Sequence, residues 1–168
     1  MNESTSQRLS QPTLVYLAGA IENALDGGEG WRRALGPFLR DELGWDVYDP
    51  TAEEMQVLTP EERKNFRTWK AKDLPRFQEA MRRVMEKDLS TLRRSDAIIV
   101  LWDEPVLRGG GTHGELTLAH TLGIPVHLVL QVPIEQVSSW ILGCATEVHQ
   151  SFEALKARLT ELNGKALA

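Results

Sequence analysis

Two segments of the chain, residues 97–101 and 126–130, are almost continuously apolar. Strands of this kind occur where helices cover both faces of a sheet, which is the usual arrangement of parallel strands in α/β proteins. The sequence between them contains a helix-like run at residues 114–122, and Gly123 follows it as a C-terminal cap. These features favour a buried parallel sheet at the centre of the fold.

Strands alternate with helices along the rest of the sequence as well. Predicted strands cover residues 14–18, 46–48, 97–102, 125–130 and 146–149, and predicted helices cover residues 31–43, 77–92, 114–122, 134–142 and 152–162. The pattern predicts an α/β fold, with a doubly wound parallel sheet of four to five strands flanked by helices.

Length and composition favour a single domain. The 168 residues are 42% hydrophobic and 26% charged, which suits one buried core and would be cramped for two. Residues 1–12 are polar and end in Pro12, so we expect a disordered leader followed by one domain at residues 13–168. No signal sequence or apolar membrane span is evident, which predicts a cytoplasmic protein.

Charge and cysteine content restrict the partners. A formal net charge of −5 without a dense stripe of Lys and Arg argues against nucleic acid or a membrane and favours a small-molecule ligand. Cys144 is the single cysteine, which excludes an intramolecular disulfide. The four histidines show no metal-ligand spacing and no dinucleotide fingerprint is present, so neither a metal nor a cofactor is expected.

The charged stretch at residues 51–74 allows two interpretations. It contains Pro60 and scattered apolar residues, among them Phe66 and Trp69. The segment is either a lid that carries these two aromatic side chains over a pocket or an ordinary amphipathic insertion on the surface.

Glu115 is the first candidate for chemistry. It lies three residues after Thr112, and this Thr-x-x-Glu spacing has a purely structural explanation as a capping box. Its position favours a second interpretation, because the predicted helix start follows the glycines 109–111 and a buried strand, where parallel sheets bind ligands. Free amides at a helix start favour an ionised carboxylate by roughly 0.3–1 kcal/mol, and a nucleophilic carboxylate must be ionised.

Asp88 and Tyr16 are the other candidates. Apolar neighbours three, four and seven residues away place Asp88 on the apolar stripe of its predicted helix, where a carboxylate is costly unless it is partnered. It either pairs with Arg93, Arg94 or another cation, or it is a proton donor with a raised pKa. Tyr16 lies inside the first predicted strand, where a simple packing role is the plainer interpretation.

The order and spacing of several short motifs resemble the nucleoside 2-deoxyribosyltransferase family, which includes related deoxynucleoside and pyrimidine monophosphate N-glycosidases. The resemblance covers about residues 15–130 and continues faintly through Ser139-Trp140. It rests on Val15-Tyr16-Leu17-Ala18-Gly19, Asp49-Pro50, Asp88-Leu89, Ser95-Asp96-Ala97-Ile98-Ile99, Gly111-Thr112-His113-Gly114-Glu115 and Gly123-Ile124-Pro125-Val126.

The resemblance implies a flavodoxin-like fold and assigns roles to the three candidates. Glu115 falls on the family's nucleophile, Tyr16 on the tyrosine that orients it, and Asp88 on the aspartate that handles the nucleobase proton. The glycine loops, with Gly19, Gly111 and Thr112, would contact the sugar or a 5′-phosphate. Trp31 or Trp69 would cover the base. Family members also commonly form homodimers or larger assemblies, which we expect here.

Two departures leave the specificity open. Gly109 stands where many family transferases carry a sugar-binding aspartate, and the serine common in the phosphate-accepting hydrolases is absent from that neighbourhood. The position that contacts a neighbouring subunit in the family falls on Glu135 or Gln136.

The expected reaction is a retaining double displacement at the anomeric carbon of a nucleoside or nucleotide, with transfer of the sugar to a free nucleobase. Two alternatives stay open. One is hydrolysis by an N-glycosidase of the same fold, in which water replaces the acceptor base. The other is a non-catalytic module that binds or senses nucleotides.

Overall fold

In the computed structural model, residues 13–166 are described, so the predicted leader lies outside the described residues. They form a five-stranded parallel sheet between helices, as the sequence predicts. The strands are β1 (Leu14–Ala18), β2 (Asp46–Tyr48), β3 (Ala97–Trp102), β4 (Val126–Leu130) and β5 (Glu147–His149). The helices are α1 (Glu29–Pro37), α2 (Pro50–Glu53), α3 (Pro60–Lys72), α4 (Leu74–Arg93), α5 (Gly111–Thr121), α6 (Ser139–Cys144) and α7 (Phe152–Ala166).

The strand order is β2-β1-β3-β4-β5, the flavodoxin-like order. The chain moves outward from β1 to β2 and then crosses to the other side of β1 to form β3. The strand order therefore reverses between β1 and β3. In open parallel sheets, ligands bind beyond the carboxyl ends of the strands at such a point.

Alternating side chains divide the core between the two faces of the sheet. Tyr16 and Tyr48 lie in one core cluster together with Leu92 of α4 and Leu116 of α5. Val15 and the strand residues that point the same way pack on the other face of the sheet, against α1 and α7. All six residues of β3 are buried, because helices cover both of its faces.

Helix boundaries differ from the predicted ones where local capping intervenes. The helix expected at residues 134–142 is a 3₁₀ turn, Ile134–Gln136, followed by the separate helix α6. Ser138 interrupts it, because its extended backbone and its hydroxyl cap the amide of Trp140. The predicted first helix begins two residues earlier and ends in a π turn, Phe38–Glu42.

The charged stretch at residues 51–74 contains a regular helix, α3. Thr59 and Glu62 form a capping box at the start of α3, with Pro60 in its first turn. Phe66 packs in a small separate core with Leu58, which precedes α3, and with Val84 of α4. Phe66 and Trp69 are both buried, which favours the interpretation of this segment as a packed helical insertion.

A buried arginine fixes the loop that follows β1. The Arg32 side chain of α1 is inaccessible to solvent and donates to the backbone oxygens of Leu17, Gly19 and Gly28 at 3.2, 3.1 and 2.6 Å. Its Nε also lies 3.7 Å from Oδ1 of Asp49, just beyond β2. One guanidinium group thus joins β1, its loop and the end of β2 at the edge of the sheet where the strands have their carboxyl ends.

None of the helices in the described part of the chain combines the length and the apolar character that a bilayer crossing requires.

We expect Arg32→Met to lower the free energy of unfolding by about 3–5 kcal/mol, because it leaves three buried carbonyl groups without their side-chain donor. Urea unfolding at an unchanged m-value measures this loss. Arg33→Met is the matched control: Arg33 is exposed on the same helix and forms a surface ion pair with Glu29, so its loss should change stability little. Equal losses in the two variants would contradict the role given to Arg32.

Candidate active site

Glu115 and Tyr16 meet although 99 residues separate them. The Tyr16 hydroxyl donates to Oε1 of Glu115 at 2.6 Å. The capping box considered for Glu115 does not form, because α5 begins at Gly111 and Thr112 is already its second residue. Glu115 therefore lies in the second turn, where the helix-start amides favour an ionised carboxylate less than expected. The phenol of Tyr16 supplies a strong hydrogen bond to the carboxylate instead.

Asp88 is held in the same way by a second tyrosine. The Tyr48 hydroxyl donates to Oδ1 of Asp88 at 2.7 Å. The partner of this carboxylate is thus a neutral phenol at the end of β2, not the pairing with Arg93 or Arg94 considered from the sequence. A hydrogen bond from a neutral group leaves a half-buried carboxylate less compensated than an ion pair would.

The two tyrosines bring the two carboxylates to one place. Tyr16 and Tyr48 occupy paired positions in the parallel register of β1 and β2. Their rings stack with centroids 5.1 Å apart and an interplanar angle of 29°. Each ring then directs its hydroxyl to the carboxylate of a different helix, Glu115 on α5 and Asp88 on α4.

The pKa values of these groups are displaced by burial and by one another. Burial raises the pKa of Asp88 above its ordinary value, and the hydrogen bond from Tyr48 opposes part of that rise. Burial and then the charge of Glu115 raise the pKa of Tyr16. Burial and the contact with Asp88 raise that of Tyr48. Both phenols therefore stay protonated and act as donors, while Asp88 is suited to carrying a proton.

Both carboxylates open onto the same cleft. It comprises two adjoining cavities of about 170 and 460 Å³ that share Asp88 and Glu115 in their linings. The smaller lies beside the loop after β1, and the larger extends along α4 and α5 toward Met85 and Leu89. Their combined size is in the range of small-molecule sites, which are mostly apolar with a few convergent polar groups.

The predicted substrate-binding positions also line the cleft. Gly19, Gly111 and Thr112 border the smaller cavity, and Gly111 borders the larger one as well. A Cβ atom at Gly110 or Gly111 would meet no atom within 4 Å, so the backbone there faces open space. At Gly19, a Cβ atom would lie 3.2 Å from the Trp31 ring, so glycine permits that close packing.

Aromatic cover of the cleft differs from the expectation. Neither Trp31 nor Trp69 lines the two cavities: Trp31 stacks on Phe152 on the other face of the sheet, and Trp69 lies under the Arg76 guanidinium. Phe77 of α4 borders the smaller cavity instead. Of the described residues in the 51–74 segment, Arg67 of α3 borders the smaller cavity, whereas Phe66 and Trp69 do not.

Three positions at this edge were not singled out from the sequence. Arg32 carries a charge on a helix face otherwise rich in apolar residues, a signal of the same kind that identified Asp88. Tyr48 sits in a three-residue strand with no distinguishing pattern. Arg67 is one of many charged residues in α3, and nothing in its spacing marks it. Histidine and cysteine are absent from the described residues that line the cleft.

No family model and no curated protein matches the sequence. Solved structures do match. A 2-deoxyribosyltransferase from the psychrotolerant bacterium Bacillus psychrosaccharolyticus aligns with a TM-score of 0.61 and 20% identity over 86% of this chain and 90% of its own. The chain shares the 2-deoxyribosyltransferase fold.

Two further structures agree with this. A conserved protein from Enterococcus faecalis V583 aligns with a TM-score of 0.63 and 15% identity, over 90% of this chain and 99% of its own. A CMP N-glycosidase from Clostridium botulinum aligns with a TM-score of 0.53 and 18% identity, over 89% and 99%. The fold expected from the sequence motifs is therefore confirmed, and the matched enzymes act on nucleosides or nucleotides.

Removing the Tyr48 hydroxyl tests how Asp88 is tuned. We expect Tyr48→Phe to raise the pKa of Asp88 further, because the lost hydrogen bond stabilises the ionised carboxylate. A carboxyl-detected NMR titration measures this pKa without any assumption about activity. Tyr16→Phe is the matched control, since its hydroxyl bonds Glu115, and it should move the pKa of Asp88 less. An unchanged or lower pKa of Asp88 in Tyr48→Phe would contradict the role of the phenol.

Proposed function

We propose that this chain cleaves the N-glycosidic bond of a (deoxy)nucleoside and transfers the (deoxy)ribosyl group to another nucleobase. The observation that supports the proposal is the pair of carboxylates, Glu115 and Asp88, in one cleft, each fixed by a tyrosine hydroxyl. Glycoside chemistry with retention uses two carboxyl groups of this kind, one as nucleophile and one as acid and base. The likeness to the 2-deoxyribosyltransferase agrees with the assignment.

In the first step, a carboxylate oxygen of Glu115 attacks C1′ of the sugar. The bond from C1′ to the base nitrogen breaks, and its electron pair goes to the base, which takes the proton held by Asp88. The products are a glutamyl–sugar ester and a free base. Burial favours this division of labour because it holds a proton on Asp88 to a higher pH than an exposed carboxyl would.

In the second step, a nitrogen of the incoming base attacks C1′ from the side that the first base has left. The ester bond to Glu115 breaks, its electron pair returns to the carboxylate, and Asp88 accepts the proton of the incoming base. Two inversions give overall retention. Tyr16 fixes one oxygen of Glu115 throughout, which limits the orientations that the nucleophile can adopt.

Hydrolysis of a nucleoside 5′-monophosphate is the second candidate, with water in place of the acceptor base. Arg67 favours it, because its cation borders the smaller cavity beside Asn23 and the glycine loop. Oε2 of Glu22 lies 3.4 Å from Nη1 of Arg67, and Oε1 lies 2.6 Å from Nζ of Lys70. Two cations therefore share one carboxylate. Glu22 lines the same cavity, so a phosphate would share the Arg67 guanidinium with this carboxylate. The likeness to the CMP N-glycosidase agrees with it.

The third hypothesis, a non-catalytic nucleotide-binding module, fits the site less well than either reaction does. A binding module has no use for a nucleophilic carboxylate beside a proton donor with a raised pKa. Saturable nucleotide binding without cleavage across a substrate panel would favour it.

The homo-oligomer expected from the resemblance stays a prediction. Glu135 and Gln136 lie in an exposed turn, as a contact with a neighbouring subunit requires. Trp140, 69% exposed, borders a shallow groove that reaches Gly114 and Leu118 next to the cleft. A second copy could therefore approach the site from this side.

Glu115→Gln should lower turnover about a thousand-fold or more, because the amide keeps the side-chain size but is not a nucleophile. The assay supplies a deoxynucleoside and a second free base and separates the exchanged nucleosides by chromatography. Intact-protein mass spectrometry should show a sugar adduct on the parent chain and none on Glu115→Gln. Glu153→Gln, an exposed position on α7, is the matched control. Full activity in Glu115→Gln would exclude Glu115 as the nucleophile.

Arg67→Gln separates the two reactions. If the natural substrate carries a 5′-phosphate, we expect kcat/KM for the monophosphate to fall tenfold or more while that for the unphosphorylated nucleoside stays within twofold, because only the monophosphate offers the guanidinium an anionic group to bind. Lys64→Gln, an exposed cation on the same helix, is the control. Equal effects on both substrates would show that Arg67 does not read the phosphate.

A further inference from the structure

A second cluster of ligand-type side chains lies on the opposite face of the sheet from the cleft. His127 is the second residue of β4, and Glu147 and His149 belong to the neighbouring edge strand β5. In the sheet register, Tyr16, Ile98 and Val126 share one face, so His127 points to the other face, toward α7. None of these three residues takes part in the proposed reaction.

The three side chains converge closely. Nδ1 of His127 and Nε2 of His149 are 3.2 Å apart, and Oε2 of Glu147 lies 4.0 Å from the same Nε2. One atom from each side chain falls within 4.8 Å of the others. Two nitrogens bound to one tetrahedral Zn²⁺ at ordinary bond lengths lie about 3.3 Å apart, so the imidazole pair already has the required separation.

We propose that His127, Glu147 and His149 form a binding site for a divalent transition-metal ion of the Zn²⁺ type. Two imidazoles and one carboxylate form a common ligand set for such ions. Ca²⁺ and Mg²⁺ prefer all-oxygen sites, so a site with two nitrogen ligands discriminates against them. Three protein ligands leave a fourth position for water.

Burial favours the ligand form of both histidines. His127 and His149 are 5% and 6% exposed, and burial lowers the pKa of each imidazole. Neutral imidazole is the form that binds metal. In the present contact one ring donates an N–H to the other. On metal binding that proton moves to the other nitrogen of its own ring, so two neutral rings need release no proton.

Arg158 of α7 orients the carboxylate. Its Nε donates to both oxygens of Glu147 at 3.0 and 2.9 Å, and its Nη2 donates to Oε1 at 2.9 Å. Oε2, the oxygen nearer His149, thus accepts one of these three bonds and has capacity for another ligand. Metal-bound carboxylates are commonly held by such outer hydrogen bonds. The guanidinium charge opposes a second cation, so we expect moderate affinity.

The site would stabilise the edge of the sheet. β5 has three residues and, within residues 13–166, pairs with β4 alone. An ion shared by His127 on β4 and by two residues of β5 would tie this short strand to the sheet. The expected role is structural and independent of the reaction in the cleft.

Isothermal titration of the full chain, prepared without a histidine tag, with ZnCl₂ tests the proposal. We expect one Zn²⁺ per chain and a rise in the thermal unfolding midpoint on addition of the ion. His127→Gln and His149→Gln should each weaken binding at least tenfold and remove most of the thermal shift. His120→Gln, an exposed histidine on α5, is the matched control and should bind as the parent does.

Glu147→Gln is a second variant for the case that a histidine variant does not fold, and it should also weaken binding. Circular dichroism of each variant without metal verifies the fold. Two results would overturn the proposal: no stoichiometric Zn²⁺ binding by the parent chain, or binding that persists unchanged in His149→Gln and Glu147→Gln. Either result leaves the proposed reaction in the cleft untouched.

Discussion

The candidate site depends on two tyrosines that stack across neighbouring parallel strands. The register of β1 and β2 places Tyr16 beside Tyr48, and their rings pack at 5.1 Å. Each hydroxyl then donates a hydrogen bond to a carboxylate on a helix much later in the sequence, α5 for Tyr16 and α4 for Tyr48. A shift of one residue in that register would turn Tyr48 to the other face and leave Asp88 without its donor. The geometry of the acids is therefore set by the sheet.

The surroundings of the two carboxylates differ in a way that suits different roles. Asp88 receives its hydrogen bond in a setting where burial dominates, and its pKa is raised. Glu115 receives a short bond from Tyr16 beside the open backbone of the glycine loop. Sites that use one acid as a proton donor and another as a nucleophile place the two acids in different surroundings. Arg32 donates to the loop that follows β1 and lies beside Asp49 at the end of β2, so it helps to fix this edge of the sheet.

Much of this architecture follows from local sequence patterns. Continuous apolar strands predicted the parallel sheet, and a carboxylate on an apolar helix stripe identified Asp88. The partner of Asp88 could not be predicted, because Tyr48 and Asp88 are 40 residues apart and only the packing of α4 against the sheet brings them together. The capping box considered at Thr112 does not form, because α5 begins one residue before Thr112 and Gly110 is its N-cap residue. Local spacing indicates candidate site residues better than it indicates their hydrogen-bond partners.

The raised pKa of Asp88 also links the site to stability. A carboxyl group whose pKa is higher in the folded chain than in the unfolded chain, where it is about 3.9, binds more protons when folded between these two values. The free energy of unfolding therefore falls as the pH rises through that window, and at higher pH the fold carries the cost of a half-buried charge. Tyr48 reduces that cost without removing it. An apolar residue at position 88 would avoid this cost, so the proton-donor role proposed for Asp88 is compatible with a fold that is less stable at high pH.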